Sequence, residues 1–217
     1  GPPRRPATPG LPMKLRLFPQ ENAGLELLST MGGVLIRGAG TLSEVLGAEA
    51  ADYERLAEHM HQLEAEATDL HFALMTQMRS SFINPLPRED LYDLSLTLMS
   101  AMENLDAAAE IISLYRLTGI SKRAAEQLEV IGRQAELTAG AMRRLASLED
   151  LDDYWIEMLR LSKRSERTHR IWVSELLRDH KPLTYARHRD LADQLAGTTA
   201  SLRQCATAVG GILVRES

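Results

Sequence analysis

The sequence predicts an all-α protein, from its composition, the spacing of its apolar residues and the positions of its prolines and glycines. Aromatic residues make up only 5% of the 217 residues, and abundant leucine, alanine, glutamate and arginine favour packed helices over sheets. Apolar residues recur every three or four positions, which lays one apolar stripe along each helical segment. A chain of this length can bury a substantial core, so we expect one folded domain.

The first helix is predicted between Leu25 and Leu46, where glycines interrupt an apolar pattern. We expect close packing against a neighbouring helix to use these glycines, which are Gly32, Gly33, Gly38 and Gly40. The proline-rich residues 1–12 lack the apolar segment of a secretory signal. We interpret them as a disordered leader, an alternative start or a cloning remnant, and we place the folded domain in residues 13–217.

The second and third helices have the clearest apolar stripes. The second stripe consists of Tyr53, Leu56, Met60, Leu63, Ala67, Leu70, Leu74 and Met78, and the third of Leu91, Leu94, Leu98, Met102, Leu105, Ala109 and Ile112. Pro85 and Pro87 bar continuation of the second helix, whereas proline is well tolerated at the start of the third. The third helix is expected to end near Arg116. The short connection predicts that the two helices are antiparallel neighbours.

The second half of the chain repeats this organisation. A fourth helix is predicted from Leu128 to Leu145, and residues 147–150 resemble a cap that starts a fifth helix. Residues 179–182 end the fifth helix, and a sixth carries the stripe Leu191, Leu195, Thr198, Leu202, Cys205, Val209 and Ile212. Two sets of three helices, in residues 20–117 and 120–215, predict a tandem repeat packed into one elongated six-helix bundle.

The two halves differ in charge. The chain has 25 Lys and Arg against 30 Asp and Glu, a net charge of −5, and the excess of acid lies before residue 118. The second half has a small excess of base. A moderately acidic chain without a basic arm has little with which to bind a phosphate backbone, so we expect no nucleic-acid partner.

Other functional classes lack their sequence signals. Charged residues interrupt every apolar run before the roughly 18 residues that a membrane span needs, so no membrane insertion is predicted. The single Cys205 has no disulfide partner and fits a reducing compartment, as a small core residue. The chain has no nucleophile elbow, HExxH motif or glycine-rich phosphate loop, so we predict that it is not an enzyme.

Four separated motifs occur in order along the chain: FINPLPREDLY at 82–92, LYR at 114–116, DYWIE at 153–157 and ILVR at 212–215. With these motifs the chain resembles the PhoU-like family of Pit accessory proteins over residues 13–217. The resemblance implies a six-helix PhoU-like fold, a cytoplasmic location that can be peripheral to the inner face of the membrane, and no enzymatic chemistry. It also implies regulation of phosphate or cation transport through contact with an inorganic phosphate permease.

The resemblance further implies E/D-x-x-x-D motifs that hold metal ions on two helices of each repeat. In the first repeat Glu64 matches, Thr68 replaces an aspartate with Asp69 one residue out of phase, and Glu103 and Asp106 keep acidic character. In the second repeat the corresponding positions are Ser162, Glu166, Ala196 and Ala200. Divalent cations and iron need several converging carboxylates, so we expect the second metal site to be lost.

A metal site in the first repeat is one interpretation of the polar residues there. His61, Glu64, Thr68 and His71 share one helical stripe, and Glu103, Asp106 and Glu110 share another on the adjoining helix. We take Glu64, Asp69, Glu103 and Asp106 as candidate ligands of a divalent or iron cation, with His61 and His71 as additions. The alternative is two solvated faces that lie side by side without a ligand.

A basic ridge is predicted on the fifth helix. It consists of Arg160, Lys163, Arg164, Arg167 and Arg170. Grouped guanidinium groups favour an anionic partner, which would be phosphate or the acidic half of another copy in a homo-oligomer. The alternative is a solvated face that is partly neutralised by Glu157, Glu166 and Glu175.

Two further sets are expected in the core because they follow the apolar stripes. They are the aromatic residues Tyr154, Trp155 and Trp172 and the methionines Met75, Met78, Met99 and Met102. Two functions remain open. One is a non-catalytic regulator of phosphate transport that acts through protein contact, and the other is a metal-binding storage or sensor protein.

Overall fold

The computed structural model describes residues 22–217, which form six α-helices, a short 3-10 helix and no strand. The helices are α1 (Ala23–Gly47), α2 (Tyr53–Ser80), α3 (Arg88–Leu114), α4 (Lys122–Arg143), α5 (Leu151–Asp179) and α6 (Pro182–Glu216), with the 3-10 helix at Ala50–Asp52. The all-α prediction is confirmed. The predicted leader, residues 1–12, lies outside the described residues.

The helices form one bundle around a continuous apolar core. In the first half α2 packs on α1 and α3, and α1 also packs on α3. In the second half α5 packs on α4 and α6, and α4 also packs on α6. The halves meet through α1 against α4 and α3 against α6, so these four helices make up the centre.

Buried positions recur at a constant distance between the two halves. Every buried residue of α3 has a buried counterpart 97 residues later in α6, from the pair Leu91 and His188 to the pair Ile112 and Val209. An offset of 98 relates α2 to α5 in the same way, from Tyr53 and Leu151 to Met78 and Leu176, with His71 as the exception. The outer helices α2 and α5, and the central helices α3 and α6, therefore share the same pattern of buried positions.

The glycines of α1 differ in their surroundings. A Cβ at Gly32 would lie 2.8 Å from the Cα of Ala139 in α4, and one at Gly38 would lie 2.8 Å from the Met102 side chain. These two glycines allow the close packing predicted from the sequence. The prediction is wrong for Gly33 and Gly40, since nothing lies within 4 Å of a Cβ placed there.

The connections between helices follow the predicted breaks. Pro87 precedes α3 directly, and Pro182 occupies the first turn of α6. Ser121 caps α4 by accepting a hydrogen bond from the Arg123 amide at 3.1 Å. Asp150 precedes α5 in a left-handed conformation with φ of 55° and makes no side-chain cap, unlike the cap predicted for residues 147–150.

The aromatic residues of α5 divide between core and surface. Tyr154 and Trp172 are buried as predicted, but Trp155 is 40% exposed and the prediction is wrong there. Trp155 lies against Gly210 of α6, where the missing side chain leaves a recess beside the indole. Met78 and Met102 are buried, Met75 and Met99 pack at the margin of the core, and Cys205 is fully buried.

Candidate functional site

Three potential ligands meet where α2 faces α3. His61 and Glu64 are one turn apart on α2, and His61 Nδ1 lies 3.2 Å from Asp106 Oδ2 on α3. One ligand atom from each of the three side chains lies within 4.8 Å of the others. We call His61, Glu64 and Asp106 the acidic seam. The structure thus brings together one histidine and two carboxylates of the predicted set.

Thr68 has a defined role beside these residues. Its hydroxyl donates a hydrogen bond of 2.8 Å to Glu64 Oε1 from one turn further along α2. The bond restrains the Glu64 carboxylate and leaves Oε2 available to another group. Thr68 offers no carboxylate of its own, but its hydroxyl orients the carboxylate of Glu64.

The contact between His61 and Asp106 shifts the pKa of both groups in the acidic seam. Burial raises the pKa of Asp106, the hydrogen bond from His61 opposes that rise, and the charges of Glu64 and Glu110 add to it. The hydrogen bond to Asp106 raises the pKa of His61. A proton between His61 and Asp106 therefore relieves the crowding of carboxylates, and a metal ion at the same place would do so as well.

Other predicted ligands lie elsewhere. Asp69 and Glu103 are exposed and are absent from the group of three that the described residues form. His71 is buried, and its Nδ1 lies 2.7 Å from Ser95 Oγ. Burial lowers the pKa of His71, which keeps the imidazole neutral. His71 therefore holds α2 against α3 through a buried hydrogen bond.

The contact between α5 and α6 has different chemistry. A cleft of about 340 Å³ lies between these helices, and its lining includes Ser162, Glu166, Arg170 and Arg203. We call these four residues the basic cleft. Arg203 Nη1 donates to Glu166 Oε1 at 2.8 Å. Arg203 lies 97 residues after Asp106, at the offset that relates buried positions of α3 and α6. A guanidinium thus stands where the acidic seam has a carboxylate.

Sequence reasoning missed Arg203, although a signal was available. The predicted replacements Ala196 and Ala200 both line the cleft, and continuing the same comparison by three residues leads from Asp106 to Arg203. His169 was also missed. Its Nε2 lies 2.9 Å from Asp193 Oδ1 at the same contact between helices.

The predicted basic ridge is exposed along α5. Of the three glutamates expected to pair with it, only one does so. Arg160 pairs with Glu157 at 3.0 Å, as expected. The other two expected partners bond elsewhere, because Glu166 pairs with Arg203 and Glu175 with Arg123. Arg164 approaches Glu129 of α4 at 3.7 Å, and Arg170 lines the basic cleft. Lys163 and Arg167 are exposed without an ion pair among residues 22–217.

A set of exposed apolar residues lies at one end of the bundle. Phe82 and Ile83 are exposed in the connection between α2 and α3, and Arg215 near the end of α6 bonds to Asp90 in the first turn of α3. Trp155, with Gly210 beside it, borders a cleft of about 750 Å³ near the end of α6. The apolar end, as we call it, consists of Phe82, Ile83, Trp155, Ile156 and Val214, all exposed.

Comparison with known proteins gives one informative match. No protein-family model matches this chain. The chain is similar to a protein of Rhizobium meliloti (strain 1021) that is provisionally named a Pit accessory protein. The two are 22% identical over 206 residues, which cover 92% of this chain and 96% of the relative. No described helix has the length and apolar character needed to cross a membrane.

Proposed function

We propose that this protein is a non-catalytic accessory protein of inorganic phosphate transport, which regulates a permease by contacting its cytoplasmic face. The observation that carries the proposal is the match to the relative, which extends over almost the full length of both chains. A match of that extent includes all six helices, so it concerns the whole bundle and not a shared segment. The protein would then be cytoplasmic and peripheral to the inner face of the membrane.

The proposal includes a PhoU-like arrangement of two three-helix repeats. Two independent features of the fold support it. The helix pairs within the first half have counterparts within the second, and the buried positions recur at offsets of 97 and 98 residues. Both features are expected when one unit has been duplicated and its core-facing positions have been kept apolar.

The apolar end is the surface that we assign to the permease. Exposed aromatic and aliphatic side chains clustered at one place favour a protein contact, because burying them removes apolar area from water. Phe82 is entirely exposed in the connection between α2 and α3, where a partner can reach it without repacking the bundle. The ion pair between Arg215 and Asp90 fixes the end of α6 beside that connection.

Co-purification with a phosphate permease of the Pit class tests this assignment. Phe82→Ser/Ile83→Ser is expected to reduce the retained permease at least about tenfold, since two exposed apolar side chains would be removed from the interface. The matched control is Leu177→Ser/Leu183→Ser, which removes two exposed leucines near the opposite end of α5 and the start of α6. Equal loss in both double variants, or retention in both, would contradict the assignment.

Metal binding for storage or sensing is the second candidate, favoured by the convergence of His61, Glu64 and Asp106. One imidazole and two carboxylates suit zinc or ferrous iron, and water would complete the coordination. Elemental analysis after incubation with each ion should find a stoichiometric metal, and His61→Ala and Asp106→Asn should each lower the metal content well below one ion per chain. His59→Ala, an exposed histidine on the same helix, should retain it. A metal content at background in the unaltered protein would exclude this candidate.

Self-association through opposite charges also remains a proposal. The exposed ridge on α5 could contact the acidic first half of a second copy. Sedimentation at low and high salt tests it, because an electrostatic contact weakens as salt screens the charges. A monomer at every salt concentration would remove the proposal.

A further inference from the structure

The basic cleft between α5 and α6 contains cationic groups that the bundle does not fully use. Arg203 Nη1 donates to Glu166, and the other N–H groups of Arg203 have no acceptor within residues 22–217. Arg170 lines the same cleft and forms no ion pair within the described part of the chain. A guanidinium carries five N–H donors, so most donors of these two arginines are open to a ligand.

A buried hydroxyl adds a neutral donor. Ser162 is 2% exposed and lines the cleft from α5. Its Oγ accepts a hydrogen bond of 3.3 Å from Gln134 Nε2 on α4, which leaves the hydroxyl proton for another acceptor. A donor that is already desolvated forms a stronger bond to a charged oxygen than an exposed donor does.

The balance of charge around the cleft is positive. Glu166 is the carboxylate in its lining, against the two arginines. Asp193 stands nearby, but Arg189 binds it at 2.9 Å in addition to the contact from His169. Lys163 and Arg167 extend the positive charge along the exposed side of α5. A cation is therefore disfavoured here, and an oxyanion is favoured.

We propose that the basic cleft binds inorganic phosphate, with Arg170 and Arg203 contacting its oxygens and Ser162 donating a hydrogen bond. Forked guanidinium groups from two helices match the several oxygens of a tetrahedral oxyanion. The choice of phosphate among oxyanions rests on the proposed function, whereas the anion site rests on the cleft alone. The acidic seam would then bind a cation between α2 and α3, and the basic cleft would bind an anion between α5 and α6.

Isothermal titration of the purified full chain with inorganic phosphate tests the site. Saturable binding is expected, and Arg170→Gln/Arg203→Gln should weaken it at least about tenfold, because charge-assisted hydrogen bonds are lost. Ser162→Ala should weaken it several-fold, and Glu166→Gln should strengthen it by removing the opposing charge. The matched control is Arg160→Gln, which removes an exposed arginine of the same helix outside the cleft.

Several outcomes would overturn the proposal. One is the absence of saturable binding up to about 10 mM phosphate, which corresponds to a binding free energy weaker than about 3 kcal/mol. Another is equal phosphate affinity in the double variant and the unaltered chain. Equal affinity for sulfate would overturn phosphate as the ligand. Circular dichroism melting of each variant identifies a loss caused by unfolding, and Ser162→Ala and Glu166→Gln then provide the test independently of the arginines.

The titration needs no permease, so the two proposals fail separately. Phosphate binding together with a negative co-purification would support the cleft and count against the accessory role. Co-purification that survives in Arg170→Gln/Arg203→Gln, with no phosphate bound by any form, would support the accessory role and overturn the cleft.

Discussion

The acidic seam and the basic cleft occupy corresponding places in the two halves of the bundle, yet they have opposite charge chemistry. The acidic seam joins His61, Glu64 and Asp106 across α2 and α3. The basic cleft has Ser162 at the offset of Glu64 and Arg203 at the offset of Asp106. The buried positions beside them recur at the same offsets in the two halves, so the two surfaces differ where the pattern of burial does not. Burial in the core therefore does not determine the charge of the neighbouring surface residues.

The largest expected effect follows from introducing into the acidic seam the arginine that the basic cleft has at the corresponding position. Asp106→Arg places a guanidinium beside His61 and Glu64, which removes one ligand and repels a cation. Loss of a residue that only orients a metal ligand lowers metal affinity by up to about a hundredfold. Asp106 is itself a candidate ligand, so the metal affinity should fall at least that much. Calorimetric titration with zinc or ferrous iron measures it. Asp69→Arg is the control, because Asp69 is exposed on α2 outside the seam, and equal losses in both variants would break the comparison.

The second prediction concerns the contact between α1 and α4, where the two halves of the bundle meet. Gly32→Ala forces a Cβ to within 2.8 Å of the Ala139 backbone in α4, so α1 and α4 must separate. We expect the free energy of unfolding to fall by about 1–3 kcal/mol in urea titrations.

Gly33→Ala is the matched control for that substitution. Nothing lies near its Cβ, and alanine favours a helix interior over glycine by up to about 1 kcal/mol. The variant should therefore be as stable as the unaltered protein or more so. If Gly33→Ala were the more damaging of the two, the described packing of α1 on α4 would be wrong.

A smaller effect is expected from the buried hydrogen bonds that hold each pair of helices. His71 bonds to Ser95 between α2 and α3, and Ser165 bonds to Thr199 at 2.8 Å between α5 and α6. Ser95→Ala and Ser165→Ala should each lower the free energy of unfolding by about 1 kcal/mol, since each removes a hydrogen bond between two buried side chains. Similar losses of stability in the two variants would show that the two pairs of helices are held together to a similar degree. A negligible cost at either position would mean that the corresponding contact does not hold its helices together.

The smallest effect is the pH dependence of metal binding at the acidic seam. The pKa of His61 is raised by its hydrogen bond to Asp106, so protons compete with a metal at a higher pH than they would at an ordinary histidine. Affinity should fall as the pH decreases through that raised pKa and should level off above it. In His61→Ala the residual binding should lose this step. Zinc titrations across the neutral range measure it, and an identical pH profile in the variant would remove His61 from the site.

The sequence was a good guide to the core because burial depends mainly on helical periodicity. Every apolar residue of the predicted stripe in α3 is buried, as are those predicted in α6. Trp155 was misplaced because its neighbour Tyr154 occupies the core-facing position, and one residue further turns the side chain about 100° around the helix. The recess at Gly210 that receives its edge belongs to another helix, and no local pattern in α5 indicates it.

The sites were harder to predict because they depend on how two helices are rotated against each other. Periodicity placed His61, Glu64 and His71 on one stripe, but a stripe spans several turns. Only the packed structure separates the exposed His61 from the buried His71. Arg203 was not predicted for a related reason. It completes the basic cleft from α6, whereas the predicted basic ridge contains residues of α5 alone.

The length of α6 has a mechanical consequence. It is one uninterrupted helix of 35 residues, and Arg203 in the basic cleft lies about 18 Å along its axis from Arg215 at the apolar end. A helix without a break behaves as a stiff rod. If the anion proposed at Arg203 tilts α6, an unbroken helix would carry that tilt to Val214, and binding in the basic cleft would then move the apolar end.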